Sequence, residues 1–193
     1  MKVPSSPNKR YLGGADWCVA ALSQGTVETT GRRCVFQVAI FLEGIPDVER
    51  LAEAYRRFGA RFPVLWGAPA RCWCLAPYWK YAEAADPDRP LHVGHVILPK
   101  GAARADVVRH IETLTNTHAA RRGWTTALDF VQVGADESVL VFSFDHGLFD
   151  AVGAETFINL FFRQLNGEAC DAEYPPLRQT APAQLDQWCQ KFK

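Results

Sequence analysis

Between residues 139 and 165 the hydrophobic pattern of the chain changes period once. Residues 139–144, Val-Leu-Val-Phe-Ser-Phe, form an apolar run rich in β-branched and aromatic side chains, which predicts a buried strand, and Asp145-His146-Gly147 breaks it. Beyond Gly153, the residues Ala154, Phe157, Ile158, Phe161, Phe162 and Leu165 recur at helical spacing and predict a helix packed behind the loop. A histidine thus stands where a core strand ends. On a strand alternate side chains share a face, so His146 is expected on the side of Leu140, Phe142 and Phe144, with Asp145 on the side of Val141 and Ser143.

The rest of the chain is read in the same way. Residues 1–10, with two prolines and two serines, predict a loose arm, with structure beginning near Tyr11. Asp16 is a candidate cap for a short helix carrying Trp17, Val19, Ala20 and Leu22, and residues 24–33 are polar. Residues 34–42 are almost unbroken in apolarity and predict a central strand covered on both faces. Pro46, Asp47 and Glu49 suit the start of a helix whose apolar face is Val48, Leu51, Ala52, Tyr55 and Phe58. Residues 60–66 and 70–79 predict a turn and a strand, residues 86–90 a loop, and residues 91–98 a strand closed by Pro99 and Gly101. A helix follows over residues 102–120, with Val107, Val108, Ile111, Leu114 and His118 along one side. Residues 124–133 and 138–144 predict a strand pair that delivers the chain to His146. Asn166-Gly167 and Tyr174-Pro175-Pro176 mark a turn and a linker, after which Leu185, Trp188, Cys189 and Phe192 form a helical stripe.

Composition narrows the class. A chain of 193 residues supports one domain with a substantial core, and 48% hydrophobic with 22% charged residues is ordinary for a globular protein. The 21 basic and 21 acidic residues balance, which leaves no extended electrostatic footprint for nucleic acid. The N-terminus lacks the apolar core of a signal peptide and no apolar run reaches membrane-spanning length, so a cytoplasmic protein without a membrane span is expected. Six scattered cysteines, Cys18, Cys34, Cys72, Cys74, Cys170 and Cys189, contain no CxxC pair and predict reduced thiols. His92 and His95 are three apart, on opposite faces of their predicted strand, which argues against a shared metal ion. No metal site is expected. There is no GxSxG elbow, Walker loop or GxGxxG, so hydrolase, phosphoryl-transfer and dinucleotide readings have no motif to stand on.

The segment Asp145-His146-Gly147-Leu148-Phe149-Asp150-Ala151 resembles the HHxxxDG signature of the acyltransferases related to chloramphenicol acetyltransferase. These include nonribosomal peptide condensation domains and the wax ester synthase group. His146 stands at the second histidine and Asp150 at the aspartate, whereas the first histidine is Asp145 and the glycine is Ala151. The order strand, motif, helix is that of the family, and the upstream elements are similar to it, so the resemblance covers most of the chain.

The resemblance implies an α/β sandwich with a mixed sheet and helices packed on one side. It would form a single lobe over residues 11–170, with residues 171–193 as linker and terminal helix toward a second lobe or subunit that completes the site. It implies a transferase that moves an acyl group from a thioester donor to a hydroxyl or amine, with no permanently bound cofactor. Acyl-CoA or acyl carrier protein phosphopantetheine would be the co-substrate. His146 would be the general base, a task imidazole suits because it is both neutral and basic near physiological pH. Asp145, Asp150 and Gly153 would structure the motif, Asp150 through an ion pair with an arginine; Arg32, Arg33, Arg61 and Arg71 are candidates. Gly153 would absorb the turn that Ala151 makes awkward. The two departures from the signature leave a second reading open, a catalytically inactive lobe that serves as a binding or scaffold module.

Overall fold

The computed structural model describes residues 9–12, 14–71, 77–80, 91–120 and 124–168. Most of the arm, Cys72, Cys74, Cys170, Cys189, the loop at 86–90 and the stripe of Leu185, Trp188 and Phe192 lie outside the described residues.

Among the described residues four strands build the main sheet: β2 (Val35–Glu43), β5 (His92–Leu98), β6 (Thr126–Val133) and β7 (Glu137–Asp145), in the order β2-β7-β6-β5. The β6–β7 hairpin turns through Gly134, at φ 73° in the left-handed region that glycine enters without a Cβ penalty. It pairs Val133 with Glu137 and Thr126 with Phe144. β2 runs antiparallel to β7, whereas β5 runs parallel to β6, so the sheet is mixed as expected. The parallel pair needs a crossover, supplied by α3 (Arg104–Ala120). A second sheet, β1-β4-β3, joins β1 (Lys9–Tyr11), β3 (Ala68–Arg71) and β4 (Pro77–Lys80). β1 takes in Lys9 and Arg10, which the sequence pattern leaves in the arm.

Alternation along β6 and β7 sends two sets of side chains to opposite faces. Leu128, Phe130, Leu140, Phe142 and Phe144 enter the larger core, where α2 (Val48–Gly59) contributes Leu51, Tyr55 and Phe58 and α4 (Ala151–Leu165) contributes Ala154, Phe157, Ile158 and Phe161. Val131, Val139 and Val141 face the other way, against Val107, Ile111 and Leu114 of α3. The mixed α/β class is as expected, but the helices are not confined to one side, because the crossover α3 covers the face opposite α2 and α4.

Two further expectations change. β2 is an edge strand rather than a central one among the described residues, and its outer half alternates between half-buried and exposed. Its apolarity comes from serving the larger core through Phe36, Val38, Ile40 and Leu42 while Phe41 stays exposed under the Arg104 guanidinium. α1 (Gly14–Thr30) continues through the polar stretch as a 17-residue helix. Its threonines return their hydroxyls to the preceding turn: Thr26 to the Leu22 carbonyl, Thr29 to Gly25 and Thr30 to Thr26. α2 begins as predicted, with the Asp47 side chain accepting from the Arg50 amide.

Candidate functional site

The motif loop hangs between the end of β7 and the start of α4. Asp145, the last residue of β7, is 3% exposed and holds the loop with every polar atom it has. Its amide donates to the Thr125 carbonyl, and its own carbonyl accepts from the amides of Leu148 and Phe149. One carboxylate oxygen accepts from the Gly147 amide at 2.8 Å, and the other pairs with the Arg33 guanidinium. Burial pushes the Asp145 carboxyl up, against the lowering effect of Arg33 and the Gly147 amide.

His146 follows at the first position off the strand. Its amide donates to the Cys34 carbonyl at 3.0 Å, tying the loop to the start of β2. The half-buried ring lies edge-on to Phe36, with centroids 5.3 Å apart, and Phe36 in turn stacks on Phe144. His146 therefore keeps the side of Phe144 that alternation predicts. Nδ1 is 2.9 Å from the Phe149 carbonyl oxygen. A carbonyl only accepts, so Nδ1 carries the proton and Nε2 presents its lone pair. Nε2 has no hydrogen-bond partner among the described residues.

At Asp150 the described residues show a helix cap rather than the ion pair that the resemblance implies. It is exposed and caps α4 from an extended backbone, its carboxylate accepting from the Gly153 amide at 2.6 Å. Among the described residues it has no arginine partner; Arg33 is engaged by Asp145, and Arg32 donates to Asn116. Ala151 opens the helix, so the missing glycine imposes no strain, and Gly153 lies within the first helical turn rather than at the bend.

On the Asp145 side of the motif lies an open cavity of about 570 Å³. Its floor is Arg33, Asp145 and Gly147, and α1 and the small sheet form its walls with Gln24, Arg71 and Trp79 among others. His146 is not part of this lining.

The structure also gathers residues that the pattern along the chain does not connect. His92 and His95 do lie on opposite faces, His95 against Phe130 and His92 against His118. His92 and His118 both reach Asp129, which is buried in β6. The signal in the sequence is a lone carboxylate within the buried run of residues 126–131, which requires a partner. His118 is concealed in the apolar stripe of α3, where an imidazole looks like one more core side chain.

No family model and no curated protein matches the sequence. Solved structures do match. The first condensation domain of the calcium-dependent antibiotic synthetase in complex with substrate analogue 3a superposes with a TM-score of 0.68 at 17% identity, over 98% of this chain and 46% of that one. The tallysomycin biosynthesis protein TlmII follows at 0.62 and 16%, over 95% and 46%. The condensation domain from the monacolin K polyketide synthase MokA gives 0.60 and 17%, over 95% and 39%. The chain spans less than half the length of these structures. With its mixed sheet, crossover helix and motif loop in this order, the chain has the condensation-domain fold, in a single lobe.

Proposed function

We propose that this chain is one lobe of an acyltransferase that moves an acyl or peptidyl group from a thioester donor to a hydroxyl or amine, with His146 as the general base. The donor is acyl-CoA or a carrier protein's phosphopantetheine. The observation that carries this reading is the Nδ1 hydrogen bond to the Phe149 carbonyl, which leaves Nε2 as the basic atom. The acceptor's oxygen or nitrogen attacks the thioester carbonyl as Nε2 takes its proton. The tetrahedral intermediate then collapses, the C–S bond breaks, and the sulfur leaves with a proton returned by the imidazolium. Asp145 and Arg33 keep the loop in place and do not touch the reacting atoms. A second lobe or subunit completes the site, in keeping with the share of the matched structures that this chain spans. The isolated 193-residue chain is expected to show little turnover, and measurable turnover by it would refute the need for that second part.

The rival reading, a binding or scaffold lobe, draws on Asp150, which is exposed and has no arginine partner among the described residues. Acyl transfer by the protein in its complete natural form, assayed with a panel of acyl-CoA and carrier-bound donors beside His146→Ala, separates the two. A donor-dependent product that the folded variant loses by about 10²–10⁴-fold supports the base. Equal product from the variant, or none from any donor, overturns it in favour of the binding lobe.

A further inference from the structure

On the α3 face of the sheet, away from the motif, Asp129 is 4% exposed and its two carboxylate oxygens each face an imidazole. Oδ2 lies 2.6 Å from Nε2 of His118, and Oδ1 lies 3.4 Å from Nε2 of His92. The three donor atoms lie within 4.8 Å of one another and come from three elements, the start of β5, the last turn of α3 and β6. Among the described residues no arginine or lysine pairs with this carboxylate. We propose that His92, His118 and Asp129 bind a divalent transition-metal ion, zinc by the chemistry of the donor set.

Two imidazole nitrogens and one carboxylate oxygen are borderline ligands that suit zinc, and three protein ligands leave a fourth position for water. Bonds of about 2.0–2.1 Å place tetrahedral donor atoms roughly 3.3 Å apart. The separation of 3.4 Å between His92 Nε2 and Asp129 Oδ1 already has that span and makes Oδ1 the ligand oxygen. The 2.6 Å contact of His118 Nε2 is a hydrogen bond to the other oxygen, Oδ2, and metal binding replaces it as Nε2 turns to the ion. His118 then coordinates through Nε2 in its Nδ1–H tautomer; its buried Nδ1 has no hydrogen-bond partner among the described residues.

Two features keep the site open. A Cβ on Gly94 would lie 2.2 Å from Asp129 Oδ1 and 3.2 Å from His92 Nε2, filling the space between the donors. The His92 side chain is 30% exposed, which provides an entry path and a solvent side for the fourth ligand. Bound there, the ion fastens the C-terminal turn of α3 to the β5 edge of the sheet.

The test is a cobalt(II) titration of the chelator-treated whole protein, followed by zinc competition and thermal melting. We expect one ion per chain, visible absorption of a four-coordinate cobalt site that zinc abolishes, and a rise in Tm of about 5–10 °C at zinc a hundredfold above Kd. His92→Ala, at a half-exposed position that should leave the fold intact by circular dichroism, is expected to weaken binding at least about tenfold. Asp129→Asn provides the second variant. Failure of the wild type to bind cobalt or zinc at one ion per chain, or an unchanged affinity in folded His92→Ala, overturns the site. Neither result bears on His146, which lies on the other side of the sheet.

Discussion

Arg33, just after α1, sets its guanidinium on Asp145, while Asp150, five residues further on, faces solvent and caps α4. The ion pair that stabilises the motif loop is therefore made by the residue that replaces the first histidine of the signature. Arg33→Ala would leave a buried carboxylate without its cation and is expected to destabilise the protein by about 3 kcal/mol, the lower end for a broken buried pair. The loss has a pH signature. Burial raises the Asp145 carboxyl in the fold above its value in the unfolded chain, so the folded state binds the proton more readily and gains stability as the pH falls through that window. Removing Arg33 enlarges the raise, and the defect should be greatest near neutral pH and shrink on acidification. Urea unfolding of wild type and variant at pH 7 and pH 4 checks this.

Asp150 should behave as a cap rather than as half of an ion pair. Asp150→Asn retains a side-chain oxygen for the Gly153 amide and is expected to be close to neutral, whereas Asp150→Ala should cost about 1 kcal/mol. A large loss in the asparagine variant, measured by chemical denaturation, would show that the carboxylate's charge matters elsewhere.

Asp129 sets an acid limit on stability. Its carboxyl is pushed up by burial but pulled down further by the hydrogen bonds and charges of His118 and His92, to about 2 in the fold. A depressed carboxyl contributes stability above its unfolded value of 3.8 that is lost as the pH falls toward 2. This amounts to about 2 kcal/mol. Thermal melts between pH 5 and 2 should show the decline, and Asp129→Asn should lack this share of it.

Phe142 is the centre of the larger core. Its ring meets those of Tyr55, Phe144, Phe161 and Phe162, and the side chain is fully buried. Phe142→Ala is expected to cost about 3–5 kcal/mol, from lost burial and the cavity left between the sheet and α4. Differential scanning calorimetry checks the value.

Periodicity along the chain was enough to predict the strand into His146, the helix behind it, the face shared by Leu140, Phe142 and Phe144, and the crossover helix with its flanking strands. Each depends on neighbours within a few residues: a period of two or 3.6 and a cap such as Asp47 are local properties. The polar stretch of α1 was missed because its helix carries threonines that bond back to their own turns and shows no clear apolar face. What only the tertiary structure decided was set by partners far apart in sequence. Among the described residues β2 pairs with β7 alone and so forms an edge, and Arg33 reached Asp145 across 112 positions rather than Asp150. His92 met His118 and Asp129 because the parallel pairing of β5 with β6 sets Gly94 against Asp129 and the returning α3 lowers its last turn onto them. A carboxylate or imidazole shows its chemistry in the sequence, but its partner is selected by burial, which penalises every unpaired charge and is known only once the chain has packed.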